Sequence, residues 1–167
     1  MKEYKAIDVA RYIAELSHQP KYGLINYLTL PSILLIIQGI YSLINRKCFT
    51  DTIYLTPCGV KIDSVYQSFG KYGLNSIYPE KNVIIDDENC IFGFRSEPYV
   101  CNLEKDDKEI IQQLFHLLSH RSSTCLFQLI QSYNFWQQAD FSKISTIILP
   151  WEDLHQSFQQ KYQSILS

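Results

Sequence analysis

The most apolar part of the sequence is a stretch of 17 residues, 28–44, and it limits the folds that the chain can adopt. The stretch is at the short limit for a membrane-spanning helix, and four polar residues interrupt it. Thr29 is a suitable N-cap residue, and Pro31 falls in the first turn, where its missing N–H costs nothing. We therefore predict a central apolar helix at about residues 29–45. Because apolar residues cover nearly every side, this helix belongs in the centre of the fold.

Amphipathic segments on both sides of this helix predict the rest of the fold. Val9, Tyr12, Ile13 and Leu16 repeat at helical spacing, and short runs rich in β-branched and aromatic residues indicate strands. The predicted fold class is mainly α with a small antiparallel β-sheet (α+β), in a single compact helical domain over residues 1–167. Further helices are predicted at 7–16, 60–69, 105–119, 123–132 and 151–166, and strands at 51–55, 83–85, 90–94 and 145–149.

The predicted strands imply one pairing. The segments 83–85 and 90–94 flank the turn residues 86–89, as in a hairpin. We expect one of these two segments to pair with the strand at 51–55. The Thr-Pro-Cys-Gly sequence at 56–59 turns the chain into the helix that follows.

Composition and charge argue against a nucleic-acid-binding protein and against a disordered protein. Fifteen Lys and Arg residues against 17 Asp and Glu give a net charge of -2, and no basic run suggests nucleic-acid binding. With 46% apolar and 19% charged residues, the chain has the composition of a folded rather than a disordered protein. The 12 tyrosines therefore predict core edges and a protein-contact surface rather than a base-stacking platform.

The cysteines indicate a reducing compartment. Their number, five, is odd, and no two have C-x-x-C spacing, whereas a disulfide framework in a short secreted chain has an even number. We interpret them as small, buried apolar residues. Asp8, Arg11 and Glu15 interrupt the region where a signal peptide would have its apolar core. The protein is therefore expected to be cytoplasmic, with no membrane partner.

Two groups of residues are candidates for chemistry. Cys58 stands before Gly59 in a turn leading into a predicted helix, a position that can activate a thiol, but no base is near in sequence. His116 and His120 are four apart on one predicted helix, yet a zinc site needs further ligands and usually a glutamate between them. We interpret Cys58 as a turn residue and the histidines as a surface feature. The prediction is a non-enzymatic protein without a catalytic, cofactor or metal site.

Two acidic clusters have structural interpretations. Residues 86–88 are typical of a hairpin turn. Glu104, Asp106 and Asp107 stand at the start of a predicted helix, where the helix dipole favours carboxylates. Neither cluster has the spacing of an EF-hand, so no calcium site is predicted.

Residues 59–73 carry the most recognisable pattern in the chain, Gly-Val-Lys-Ile-Asp-Ser-Val-Tyr-Gln-Ser-Phe-Gly-Lys-Tyr-Gly. It resembles the Panacea domain family, a phage-associated family in which a glycine-containing turn precedes a short helix with Val-Tyr, Phe and then Tyr-Gly. The segments 6–13 and 33–41 are similar to the family's opening and central helices, and 129–139 to a late stretch, so the resemblance covers roughly residues 5–139. The matching motif residues are Gly59, Val65, Tyr66, Phe69, Tyr72, Gly73 and, in the late stretch, Trp136.

The resemblance implies an antitoxin of a bacterial or phage toxin–antitoxin pair. Such a protein binds and neutralises an unrelated toxin, or acts as an adaptor that delivers the toxin to a protease. The resemblance implies no active site and no cofactor, and it makes the motif residues either structural or partner-binding. The alternatives are a phage- or pathogen-encoded inhibitor of a host protein on the same fold, and an enzyme that uses Cys58 or the His116 and His120 pair. A toxin-binding protein is expected to expose an unusually large apolar or aromatic patch.

Overall fold

In residues 3–85, 94–99 and 101–166, which the computed structural model describes, the chain forms seven α-helices and five short strands. The predicted class, mainly α with a small antiparallel sheet, is confirmed. Not one helix in these ranges combines the length and hydrophobicity that crossing a membrane requires. The helices are α1 (Ala6–Ser17), α2 (Leu30–Ser42), α3 (Asp63–Phe69), α4 (Lys105–Leu118), α5 (Ser123–Gln131), α6 (Asn134–Gln137) and α7 (Trp151–Leu166), and the strands are β1 (Tyr54–Thr56), β2 (Gly59–Lys61), β3 (Lys81–Ile85), β4 (Phe94–Pro98) and β5 (Ile147–Ile148).

The predicted central helix is α2, and it lies in the middle of the fold. Every residue of α2 but one is buried, and α1, α4, α5 and α7 pack around it. It ends at Ser42 rather than near residue 45, because Asn45 adopts a left-handed conformation with φ 53°. The N–H of Arg46 then bonds back to the carbonyl of Tyr41 at 3.1 Å, which closes the helix. Ile44 therefore lies beyond the helix, where it is exposed.

Gly39 marks the contact between α2 and α7. The ring of Phe158 lies directly against it, and a methyl group at Gly39 would fall inside the van der Waals surface of that ring. On its other side, Phe158 stacks on Tyr133, with 4.4 Å between ring centroids. The missing side chain at Gly39 thus allows α7 to approach the central helix closely.

The strands form two separate antiparallel sheets. In the first, β1 lies between β2 and β5; in the second, β3 pairs with β4. The expectation that residues 51–55 would pair with 83–85 or 90–94 is therefore wrong. The predicted segment 145–149 supplies β5 instead. Of the predicted strand at 90–94, Phe94 begins β4, while residues 90–93 and the turn at 86–89 lie outside the described residues.

The first strand begins at Tyr54 rather than at Asp51 because Asp51 has another role. Its carboxylate accepts hydrogen bonds from the backbone N–H of Ala6, at 2.8 Å, and from the hydroxyl of Ser64, at 2.6 Å. Lys5, the N-cap residue of α1, offers no side-chain cap, so Asp51 supplies one from a distant part of the chain. The same carboxylate joins the start of α1 to the first turn of α3.

The helix predicted at 60–69 begins later than expected. Residues at its predicted start belong to β2, and α3 begins at Asp63. The reason is local: Gly59 has φ 136°, a conformation open to glycine, and Ile62 is extended with φ -130° and ψ 118°. The chain thus leaves the hairpin as a strand before it turns into the helix. On this helix, Val65 and Phe69 are buried in the core.

Gln38 holds the segment that follows α2 with three hydrogen bonds. Its Oε1 accepts from the N–H groups of Cys48 and Phe49, at 2.8 and 3.1 Å, and its Nε2 donates to the carbonyl of Phe49 at 2.9 Å. Gln38 is buried, so these bonds satisfy backbone groups that water does not reach.

We expect Gln38→Leu to lower the free energy of unfolding by about 2–3 kcal/mol, because the change leaves buried backbone groups without partners. Urea denaturation of the purified protein measures this. Gln113→Leu, at an exposed position of α4, is the control and should change the free energy by less than about 0.5 kcal/mol. Equal effects of the two substitutions would contradict a stabilising role for the Gln38 hydrogen bonds.

Candidate functional site

An open groove of about 360 Å³ lies between the β1–β2 hairpin, the segment before α2, α3 and the first turns of α5. We call it the β2 groove, because consecutive residues of the hairpin, 58–61, form one of its sides. The hydroxyl-bearing residues Ser32, Thr56, Ser123 and Thr124 also belong to the lining. Its aromatic and aliphatic lining residues are Tyr27, Leu28, Val60, Tyr66 and Phe127.

The aromatic wall of the groove is formed by two tyrosines. Tyr27 and Tyr66 meet edge to face with 5.7 Å between ring centroids, and Tyr66 is 52% exposed. The N–H of Tyr27 donates to the carbonyl of Gly73 at 3.1 Å, which fixes the segment before α2 against the loop that follows α3. Burial raises the pKa of Tyr27 to about 12, so its phenol stays neutral near pH 7. Leu28, next along the chain, is 49% exposed at the mouth of the groove.

The groove carries little charge. Lys61 is the charged residue of its lining, and its Nζ lies 2.8 Å from Oδ1 of Asp63. The same ammonium group lies 5.4 Å from the centroid of the Tyr66 ring. The lining is therefore aromatic and aliphatic, with hydroxyl groups and one compensated charge.

The seven motif residues do not form one site. Gly59 and Tyr66 line the β2 groove, whereas Val65 and Phe69 are buried core residues. Tyr72 packs on Phe69 with 6.3 Å between ring centroids, and Gly73 supports Tyr27 through its carbonyl. Trp136 lies behind the groove, where its ring meets that of the lining residue Phe127 at 5.2 Å. Two motif residues thus line the groove, and Gly73 and Trp136 contact residues of its lining.

Cys58 lies in the groove without a catalytic base. Its thiol is exposed, which corrects the interpretation of all five cysteines as buried; Cys48 and Cys101 are buried, and Cys125 is half-buried. Within the described part of the chain, the groove lining contains no histidine or carboxylate. The four histidines lie elsewhere in the fold and make other contacts. Nε2 of His18 lies 2.7 Å from the carbonyl oxygen of Ile77, Nδ1 of His155 lies 2.9 Å from that of Ser42, and the rings of His116 and His120 meet each other at 6.3 Å.

His116 stands on α4, next to the ring of Tyr22, but α4 ends at Leu118 and His120 lies in the turn that follows, so the prediction that both histidines stand on one helix is wrong. Among the described residues, the structure brings no further metal ligand to this pair. Across residues 3–85, 94–99 and 101–166, no group of three or more His, Cys, Asp or Glu side chains is arranged to hold a metal ion.

A buried polar cluster around Asp107 was missed by the sequence analysis. Asp107 is 2% exposed, and its carboxylate accepts hydrogen bonds from the hydroxyls of Tyr4, at 2.7 Å, and Tyr41, at 3.0 Å. Nη2 of Arg46 donates to the same carboxylate at 3.1 Å. The hydroxyl of Tyr4 in turn accepts from the N–H of Glu104, and burial raises the pKa of Tyr4 to about 12. Every buried side-chain polar atom of the described residues has a partner, so this cluster stabilises the fold rather than awaiting a ligand.

One sequence signal could have revealed this cluster. Asp107 heads the apolar stripe of α4, on the same face as Ile111, Phe115 and Leu118, and all four residues are buried. A carboxylate on the buried face of a helix needs a partner, since burying an unpaired charge is costly. A favourable interaction with the helix dipole explains why Asp107 stands in the first turn of α4. It does not explain why Asp107 lies on the buried face of the helix.

Comparisons of the chain with known protein families, with curated proteins and with solved structures return no match.

Proposed function

We propose that this protein is an antitoxin-like binding domain that holds a partner toxin in the β2 groove, and so neutralises the toxin or delivers it to a protease. The observation that carries the proposal is the exposed aromatic and aliphatic lining around Tyr66, next to Gly59. Both are motif residues of the Panacea resemblance. A solvent-exposed tyrosine beside an apolar groove is a typical anchor of a protein interface.

The apolar surface extends beyond the groove. Leu74 is 76% exposed and follows Gly73, whose carbonyl holds Tyr27. Leu24 is exposed on the neighbouring segment, which is joined to the same loop by the hydrogen bond from the N–H of Ile77 to the carbonyl of Ile25. Exposed apolar side chains on adjacent segments support an interaction surface.

The residues of the groove are better suited to binding a partner protein than to catalysing a reaction. A thiol nucleophile needs a base within hydrogen-bond reach, and the described residues that line the groove include none beside Cys58. The proposal therefore assigns Cys58 no reaction, and it assigns the protein no cofactor.

Co-expression tests the function. Each gene adjacent to the one that encodes this chain is expressed from an inducible promoter, and those that stop growth are paired with this protein. We expect the wild-type protein to restore growth against one such neighbour. Failure to restore growth against any adjacent gene product would overturn the toxin partner, and a pull-down that returns a host protein would then favour the inhibitor alternative.

Tyr66→Ala is expected to weaken binding of that toxin by about 30-fold or more and to abolish growth rescue, because an interface anchor contributes about 2 kcal/mol or more. Titration calorimetry with the purified toxin measures the affinity. Tyr162→Ala is the matched control, since Tyr162 stands on α7 and is 53% exposed, against 52% for Tyr66. Cys58→Ser should keep full rescue. Rescue by Tyr66→Ala at the wild-type level would exclude the β2 groove, and loss of rescue in Cys58→Ser would favour thiol chemistry.

A further inference from the structure

β2 is an edge strand, and its open edge faces the groove. The order of the three-stranded sheet is β2-β1-β5, so within the described residues β2 has a strand on one side only. Side chains of a strand alternate between the two faces of a sheet, so a groove on one face would meet every second residue. The β2 groove meets the consecutive residues 58–61, which is the pattern expected of a strand approached from its edge.

The pairing register identifies the backbone groups on that edge. β1 and β2 pair with Thr56 opposite Gly59, Leu55 opposite Val60, and Tyr54 opposite Lys61. In an antiparallel hairpin closed by a two-residue turn, the pair next to the turn is hydrogen-bonded and the next pair is not. The alternation therefore points the N–H and C=O of Val60 away from β1, towards the groove. These are the groups that an added strand would bond.

The charge and polarity of the groove lining also indicate which kind of partner segment can bind there. Its one charged lining residue, Lys61, already has a counter-ion in Asp63 at 2.8 Å. A charged side chain entering among Tyr27, Tyr66 and Phe127 would lose water without gaining a partner. Charge complementarity thus favours an uncharged segment with aromatic or aliphatic side chains.

We propose that the groove binds an extended, uncharged apolar segment of the partner protein, which adds to β2 as a fourth strand of the sheet. This inference rests on the proposed function, of which it specifies the binding mode. Main-chain hydrogen bonds at Val60 supply affinity, and side chains at alternate positions of the segment enter the groove. Because β2 has three residues, the paired part of the segment spans about 10 Å.

Backbone methylation of a peptide tests the binding mode on the wild-type protein. A phage-displayed heptapeptide library is selected on the full chain and counter-selected on Tyr66→Ala, and the tightest binder is synthesised with blocked termini. Each amide is then N-methylated in turn. Because the paired part has three residues, one peptide N–H faces the C=O of Val60, so methylation of that amide should reduce affinity by about tenfold or more, while methylation of the amides on either side of it changes affinity little. Equal losses at neighbouring amides, no loss at any amide, or a selection that yields no binder overturns the proposal.

Val60→Pro is the complementary variant. Proline removes the N–H that faces the open edge but leaves the ladder to β1 intact, as at natural edge-strand prolines. We expect it to reduce affinity for the unmethylated peptide by about tenfold or more, whereas Ile148→Thr, an exposed change on β5 at the opposite edge of the same sheet, binds like the wild type. Circular dichroism and the melting temperature confirm that both variants are folded. Wild-type affinity of folded Val60→Pro overturns strand addition.

Different experimental results would contradict the toxin partner and the strand-addition binding mode. If Val60→Pro rescues growth from the toxin while Tyr66→Ala does not, the toxin binds the groove without adding a strand, and only the present inference is lost. If methylation of one amide weakens binding while methylation of its neighbours does not, but no adjacent gene product is neutralised, strand addition stands and the toxin partner falls.

Discussion

Gly39→Leu is expected to lower the free energy of unfolding by at least about 4 kcal/mol. Even the first carbon of the new side chain would overlap the Phe158 ring. That ring is 4% exposed and stacks on Tyr133, so it has no free space to enter. Gly39→Ala should be destabilising by about 2 kcal/mol, although alanine favours a helix over glycine by about 1 kcal/mol. Urea denaturation measures both.

A second glycine provides the control for this prediction. Gly70 also has helical dihedral angles, and a methyl group there would meet the ring of Tyr66 at 2.9 Å. Tyr66 is exposed and can turn away, so Gly70→Ala should change the free energy of unfolding by less than about 1 kcal/mol. In addition, Phe158→Leu combined with Gly39→Ala should be less destabilising than the sum of the two changes. Strict additivity would contradict the proposed contact.

Asp107→Ala is expected to lower the free energy of unfolding by about 3–5 kcal/mol, because it leaves the guanidinium of Arg46 in a partly buried site without its counter-ion. The hydroxyls of Tyr4 and Tyr41 lose their acceptor at the same time. Thermal and urea denaturation measure the change.

The neighbouring residue is the matched control. Asp106 lies in the same first turn of α4 but is exposed, so Asp106→Ala removes a carboxylate from the helix start without opening the cluster. It should cost no more than about 1 kcal/mol. If the two alanine variants lose similar amounts of stability, the helix dipole rather than the buried cluster explains the role of Asp107.

The helices are the part of this fold that local sequence determines best. α7 extends over Trp151–Leu166, the predicted range, because its apolar residues recur at four-residue intervals along one face. The central helix is equally clear, since a run that is apolar on every side must be covered by other elements. Only its end was misplaced, because the left-handed conformation of Asn45 is not evident from the apolar pattern.

The strands could not be predicted in the same way. β1 and β2 have three residues each and β5 has two, too few for alternation to distinguish a strand from a turn. The pairing of Leu55 with Ile147 joins distant segments, and neither local sequence specifies its partner. α6, with four residues, is also too short for a periodic signal.

The candidate site was predicted in part. The motif singled out Gly59 and Tyr66, which do line the groove. Leu28 and Phe127 carry no local signal, because only the packing of α2 against α5 brings them to the same groove. Arg46 carries no local signal either, because its pairing with Asp107 depends on contacts between segments far apart in the chain.

The Asp107 cluster also limits how early the protein can complete its fold during synthesis. The hydroxyl of Tyr4 finds its acceptor 103 residues farther along the chain, so the ribosome must elongate for roughly 5–20 s at about 5–20 residues per second before the bond can form. Phe158, which covers Gly39, emerges later still. For most of that interval α2, the most apolar of the described helices, has been synthesised but is only partly covered. Because Phe158 stands on α7, the contact that covers Gly39 can form only after that helix has been synthesised.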